Sequence, residues 1–245
     1  MSAHRTALAL ALACLGLAAC DDSPTALDNL VVLPGGSALV FEGAAATMAE
    51  RSRIEEIVAA TTDAARDLID IDGMTVVIRQ STAFIIPQFG FGGLASSGVV
   101  TIPIDPSSSA WPGSMEVELA RVLAHEFHHV ARFRARGANG TLFEAIVTEG
   151  LADRFIIELL AGDPPIWATA VQGAELETWI ETASETWMEP EFDPRPWFLP
   201  EFESEVPQWT GYSIGWELTG RYLEANPSQS ASTLVGTPAS AFLPE

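Results

Sequence analysis

Cysteine is nearly missing from this chain: its two cysteines, Cys14 and Cys20, both lie at the N-terminal end of the 245 residues. No disulfide can therefore hold the folded part together, and a thiolate can serve there neither as nucleophile nor as metal ligand. Lysine is absent altogether. The 12 basic residues are all arginine, against 33 acidic ones, for a formal charge of −21. So acidic a surface repels nucleic acid and anionic lipid headgroups, and no DNA or RNA partner is expected. The glycine-bearing loop "FGFGGLASSG" lacks GxGxxG spacing and no strand–helix phosphate cradle follows it, so it has no nucleotide role. Tyrosine is limited to Tyr212 and Tyr222, and histidine to four positions.

The chain opens "MSAHRTALALALACLGLAAC", in which Arg5 precedes a run of Ala, Leu, Gly and Cys, as in a secretory signal. The run is shorter than the ~20 apolar residues that span a bilayer as a helix. "LAAC" at 17–20 resembles the bacterial lipobox, which implies cleavage before Cys20 and lipid on its thiol and new amino group. The expected organisation is a lipoprotein signal peptide at 1–19, a tether at 20–37 with room for a short first strand, and one domain over 38–245. Loss of Arg5 moves the formal charge from −21 to −22, so the membrane is met through the lipid alone. The expected location is extracytoplasmic, on a membrane of the bacterial cell envelope.

"ALVFE" at 38–42, "MTVVIRQ" at 74–80 and "VVTIPID" at 99–105 read as strands. Between the first two, residues 46–70 show helical spacing, with Met48, Ile54, Ile57, Val58, Ala65 and Leu68 near one face. From residue 115 the pattern turns helical. Ser114 can cap a helix over 115–136 that stops at Gly137, and Arg132, Arg134 and Arg136 suit its C-terminal dipole. Thr141 and Glu144 form a T-x-x-E capping box for a second helix over 142–160. A further helix is expected over about 166–186 and a last long one over 210–225, with an acidic, proline-rich loop between them at 189–207. Strands and one helix followed by helices define an α+β fold with segregated halves.

Three of the four histidines fall in "HEFHH", 125–129. Positions i and i+4 share one helix face a turn apart, so His125 and His129 can hold one zinc ion between them. Glu126 sits about 100° around the helix from His125, beside the metal, where a carboxylate can take a proton from water. His128 falls off that face. The flanking stripe of Leu119, Val122, Leu123, Phe127, Val130 and Phe133 reads as core, and burying two imidazoles and a carboxylate beside it is costly without a charge partner. A metal supplies that partner. A catalytic zinc takes three protein ligands, and after Cys20 no further cysteine or histidine remains, so the third must be an acid. "TEGLAD" on the second helix offers Glu149, with Asp153 one turn on to orient His125; Glu144, the competing acid, is accounted for by its cap. Gly150 costs about 1 kcal/mol of helix propensity relative to Ala. A close approach of these two helices would offset it.

"HEFHH" followed by "EAIVTEGLADRF" resembles the thermolysin-like gluzincins. It is more closely similar to a bacterial family of zinc-dependent proteases, predicted as such, that shares "EGLAD" and a late "GYxIG", here "GYSIG" at 211–215. The resemblance covers roughly 115–240. It implies a zincin-like fold, His125, His129 and Glu149 as zinc ligands, Glu126 as general base and Asp153 in support. It also implies that "VVTIPID" is the sheet edge along which an extended peptide lies. No histidine follows His129 to steady an oxyanion, and Tyr212 in "GYSIG" is the candidate donor; the alternative is a helix-end residue with its hydroxyl satisfied. Of the seven tryptophans, the six in the C-terminal third read as packing, with the lining of a carbohydrate or peptide cleft as the alternative. The loop at 189–207 reads as a solvated connector, with a lid edging the cleft as the alternative, and its charge points a neighbouring cleft toward neutral or basic peptides. The expectation is a lipid-anchored zinc metallopeptidase acting on a peptide or protein substrate. The alternative is an inactive zinc-binding lipoprotein that serves as a binding or scaffolding module.

Overall fold

The β-branched runs become one five-stranded sheet in the computed structural model, which describes residues 29–190, 192–199 and 204–244. The signal-like segment 1–19, Cys20 and the tether as far as residue 28 lie outside the described residues, as do five positions of the acidic loop. The strands are β1 (Leu30–Val32), β2 (Ala38–Glu42), β3 (Thr75–Gln80), β4 (Leu94–Ala95) and β5 (Val99–Ile104), in the order β1-β2-β3-β5-β4. β2, β3 and β5 are parallel, and the two edge strands run antiparallel to their neighbours. β1 lies inside the stretch read as a tether, so the sheet takes in residues from Leu30.

Parallel β2 and β3 need a crossover, and α1 (Met48–Arg66) supplies it. Its start is a full capping box: the Thr47 hydroxyl accepts from Glu50 N–H, and Thr47 N–H donates to Glu50 Oε2 at 2.6 Å. Ile54, Ile57, Val58 and Ala65 face the core as expected, but Met48 and Leu68 are exposed. Met48 opens the first turn and Leu68 lies past the last, where the periodicity no longer governs direction.

The C-terminal half is helical: α2 (Met115–Arg136), α3 (Leu142–Leu160), α4 (Gly173–Ser184), the single turn α5 (Arg195–Phe198) and α6 (Thr210–Ala225). The chain is thus α+β with the segregation the sequence implied. α4 begins at Gly173, later than expected: residues 166–169 form a turn, 170–171 a bend, and Gly173 enters the helix at φ +62°. Two caps differ from expectation. Ser114 adopts a helical backbone and spends its hydroxyl on Phe89 O at 2.5 Å, tying the start of α2 to the loop before β4. At α3, Thr141 caps Glu144 N–H at 3.2 Å, but the Glu144 carboxylate accepts from Gly140 N–H instead of closing the box. Arg132 is not a dipole counter-charge at all. It is buried, bonded to Thr148 Oγ1 and to the carbonyls of Leu234, Val235 and Thr237, and so fastens the C-terminal segment onto α2.

Gly150 meets α6, not α2. A Cβ there would lie 2.1 Å from Gly215 O, and one at Gly215 would lie 2.3 Å from Ile146 O. The two backbones touch, so α3 is clamped between α2 on one side and α6 on the other. Among the described residues no helix is long and apolar enough to cross a membrane.

Candidate metal centre

One turn of α2 sets His125 above His129 with their rings edge-on, centroids 4.5 Å apart and Nε2 atoms 2.9 Å apart. α3 packs alongside and inserts Glu149 between them: its Oε2 lies 3.0 Å from His125 Nε2 and 3.2 Å from His129 Nε2. One turn further on, Asp153 Oδ1 is 2.9 Å from His125 Nδ1, and Trp167 Nε1–H donates to the same oxygen at 2.7 Å. The imidazole is therefore held at both nitrogens, with Nε2 aimed at the shared point. Phe133 stacks on His129 at 5.6 Å.

The three ligand atoms lie within 4.8 Å of one another. Two donors bound tetrahedrally at 2.0–2.1 Å would be ~3.3 Å apart, close to the three spacings observed here. Burial alone would lower the His125 pKa, but its bonds to Asp153 and Glu149 outweigh that and hold it well above 6.5. Burial likewise works to raise Glu149, yet the two histidines draw its carboxyl far below the usual range. Desolvation pushes Asp153 up despite the bonds from His125 and Trp167. Two imidazoles and a carboxylate converging on one point suit zinc, and the residues fit it.

Glu126 faces elsewhere. Its carboxylate, buried and pushed up in pKa chiefly by desolvation, lies against the chain at Gly93, and its Oε2 has no hydrogen-bond partner among the described residues. Both His125 and Glu126 open onto a cleft of about 120 Å³ lined also by Phe84, Leu94, Trp167, Phe198, Trp209 and Tyr212. Tyr212 is placed there by the first turn of α6, its ring 6.3 Å from His125, and among the described residues its hydroxyl has no partner. Burial and the three nearby carboxylates raise its pKa well above 10, so it keeps the proton a donor needs. His128 turns away: it is fully buried, bonded through Nε2 to Ala231 O at 3.2 Å, and kept neutral by burial.

Three expectations change at the cleft. β5 is not the sheet edge, because residues 91–95 fold back antiparallel and cover it; β4 is the edge, with Leu94 facing the cleft. The acidic loop is more than a solvated connector, since Phe198 and Leu199 border the cleft. Trp167 and Trp209 belong to the site as well as to packing, and nothing in their sequence spacing marks them. Two rim residues, Phe84 and Trp209, adopt left-handed φ of 58° and 64°. Bulky side chains rarely adopt that conformation, and residues held in it cluster at functional sites.

Comparison with known proteins yields one family match, described as "Predicted Zn-dependent protease (DUF2268)", over residues 51–244. No curated protein matches. Among solved structures, an aminopeptidase N family protein from Idiomarina loihiensis is 15% identical with a TM-score of 0.45, and the match covers 87% of this chain. This chain spans 40% of the length of that one.

Proposed function

The chain belongs to the family of predicted zinc-dependent proteases, its cofactor is zinc, and on that premise we propose that it hydrolyses peptide bonds with Glu126 as general base. The observation that carries this reading is the pairing of a His125–His129–Glu149 centre with a second buried carboxylate opening on the same cleft. Zinc bound at the three ligands supplies a Lewis acid that polarises the scissile carbonyl and acidifies water. Glu126, its pKa raised by burial, accepts the proton of the attacking water and passes it to the leaving amine. Asp153 and Trp167 keep His125 oriented throughout. Tyr212 donates from its hydroxyl to the oxyanion of the tetrahedral intermediate. β4 offers the free edge along which an extended peptide pairs, and the aromatic and aliphatic walls of the cleft receive a bulky apolar side chain next to the cut. A non-catalytic binding module would have no use for a buried, unpaired carboxylate in this position.

Digestion of a peptide library, read by mass spectrometry with and without chelator, tests the reading. Zinc-dependent cuts beside large apolar residues are expected, and their absence from a zinc-loaded protein would sink it. On such a substrate Tyr212→Phe should lower kcat about 100-fold with little change in KM; unchanged turnover would remove Tyr212 from the chemistry. The same proposal places the folded domain, from Leu30 onward, outside the cytoplasm, tethered by lipid on Cys20. Cys20→Ala should shift the protein from the membrane fraction to the soluble one, and continued membrane retention would exclude this anchor.

A further inference from the structure

The edge segment beside Glu126 is gripped on both faces. A Cβ at Gly92 would lie 2.1 Å from the Phe84 carbonyl oxygen and 3.2 Å from its carbon. At Gly93 it would lie 2.4 Å from Glu126 Oε1, 2.7 Å from Cγ and 2.8 Å from Cδ. Successive residues of an extended chain point to opposite faces. The segment therefore runs between the Phe84 backbone behind and the Glu126 carboxylate in front. It cannot retreat: Gly92 N–H is bonded to Pro103 O at 3.1 Å, and Ile86 N–H to Phe91 O at 3.0 Å closes the loop that carries Phe84. Gly93 is not among the glycines with left-handed φ, so backbone freedom does not explain it. Room does. Glu126, meanwhile, has Oε2 buried without a partner among the described residues, so packing against this wall, more than hydrogen bonding, holds the carboxylate in place.

We infer that Gly93 is a positioning residue for Glu126: the missing side chain lets the base lie flush under the edge strand, at the depth from which it reaches the scissile bond. The inference rests on Glu126 acting as the base. A methyl group at this point displaces the carboxylate, because both Cγ and Cδ are in the way and the strand is backed by Phe84. Misplacement of a reacting group by about 1 Å can cost on the order of 100-fold in rate.

Gly93→Ala, compared in the wild-type and Glu126→Ala backgrounds, tests this. In the wild-type background kcat should fall about 100-fold, with KM and zinc content little changed. The melting temperature should also drop. In the Glu126→Ala background, where the obstructing carboxylate is gone, the same substitution should cost almost no melting temperature, a non-additivity expected only of groups in contact. Parental kcat in Gly93→Ala, or an equal loss of melting temperature in both backgrounds, would overturn the inference. If Gly93→Ala alone does not fold, a folded double variant supports the contact and an unfolded one refutes it. Activity surviving in Glu126→Gln would defeat the general-base reading yet leave the melting-temperature comparison intact, so the two failures are told apart.

Discussion

Glu126→Gln should lower kcat/KM by on the order of 100- to 10,000-fold while KM and zinc content stay near those of the parent. Gln matches Glu in shape, and Glu126 is not one of the converging ligands, so the metal centre keeps its three donors. What is lost is the site that accepts and returns a proton. Folding should not suffer. Burial raises the Glu126 pKa, which means the ionised carboxylate is less comfortable in the folded chain than in the unfolded one. For an acid whose folded pKa is raised, that destabilisation is absent well below the unfolded value and grows as pH rises through it. A neutral amide avoids it, so at pH 7 the metal-free variant should melt no lower than the metal-free parent. A catalytic group that weakens the fold it sits in is the usual sign of a functional compromise. Full turnover by Glu126→Gln on a peptide substrate would show that the mechanism is wrong.

The second large effect falls on the metal. Glu149→Ala should leave a folded protein that retains almost no zinc after dialysis, because two imidazoles on one helix turn form an incomplete site. Asp153→Ala should keep the ligand set and lose about 10- to 100-fold in zinc affinity, since His125 Nδ1 and Trp167 Nε1 are both left without their shared acceptor. Metal content by mass spectrometry, with affinity by competition against a chelator, separates the two. pH adds a further check. Zinc must displace the proton that Asp153 and Glu149 help His125 to hold, so affinity in the parent should fall as pH drops through the raised His125 value. The loss should therefore begin above pH 6.5. Stoichiometric zinc in Glu149→Ala would remove Glu149 from the ligand set. A loss confined to pH below the ordinary histidine range would show that the two carboxylates do not hold the His125 proton.

How much of this could be read from the sequence differs between the two sides of the cleft. His125 and His129 are neighbours because of helix geometry alone, and Glu149 with Asp153 for the same reason on α3; a four-residue spacing carries that information wherever the helix packs. The strands β2, β3 and β5 were legible from their β-branched runs. The glycine loop before β4 was not. Its glycines look like those of any surface turn until the Phe84 backbone and the Glu126 carboxylate are found on either side of it.

Local periodicity and composition thus determined the α+β order of elements, the paired histidines, the acid pair one helix away and the absence of cysteine from the folded part. These follow from interactions within a few residues or from composition. Only the tertiary structure decided which strand is the sheet edge, that Gly150 faces α6, that Trp167 supports Asp153, and that Phe84, Phe198 and Trp209 wall the cleft. Each of those depends on segments far apart in the chain meeting at one place. Spacing along a single element carries no record of what will be packed against it.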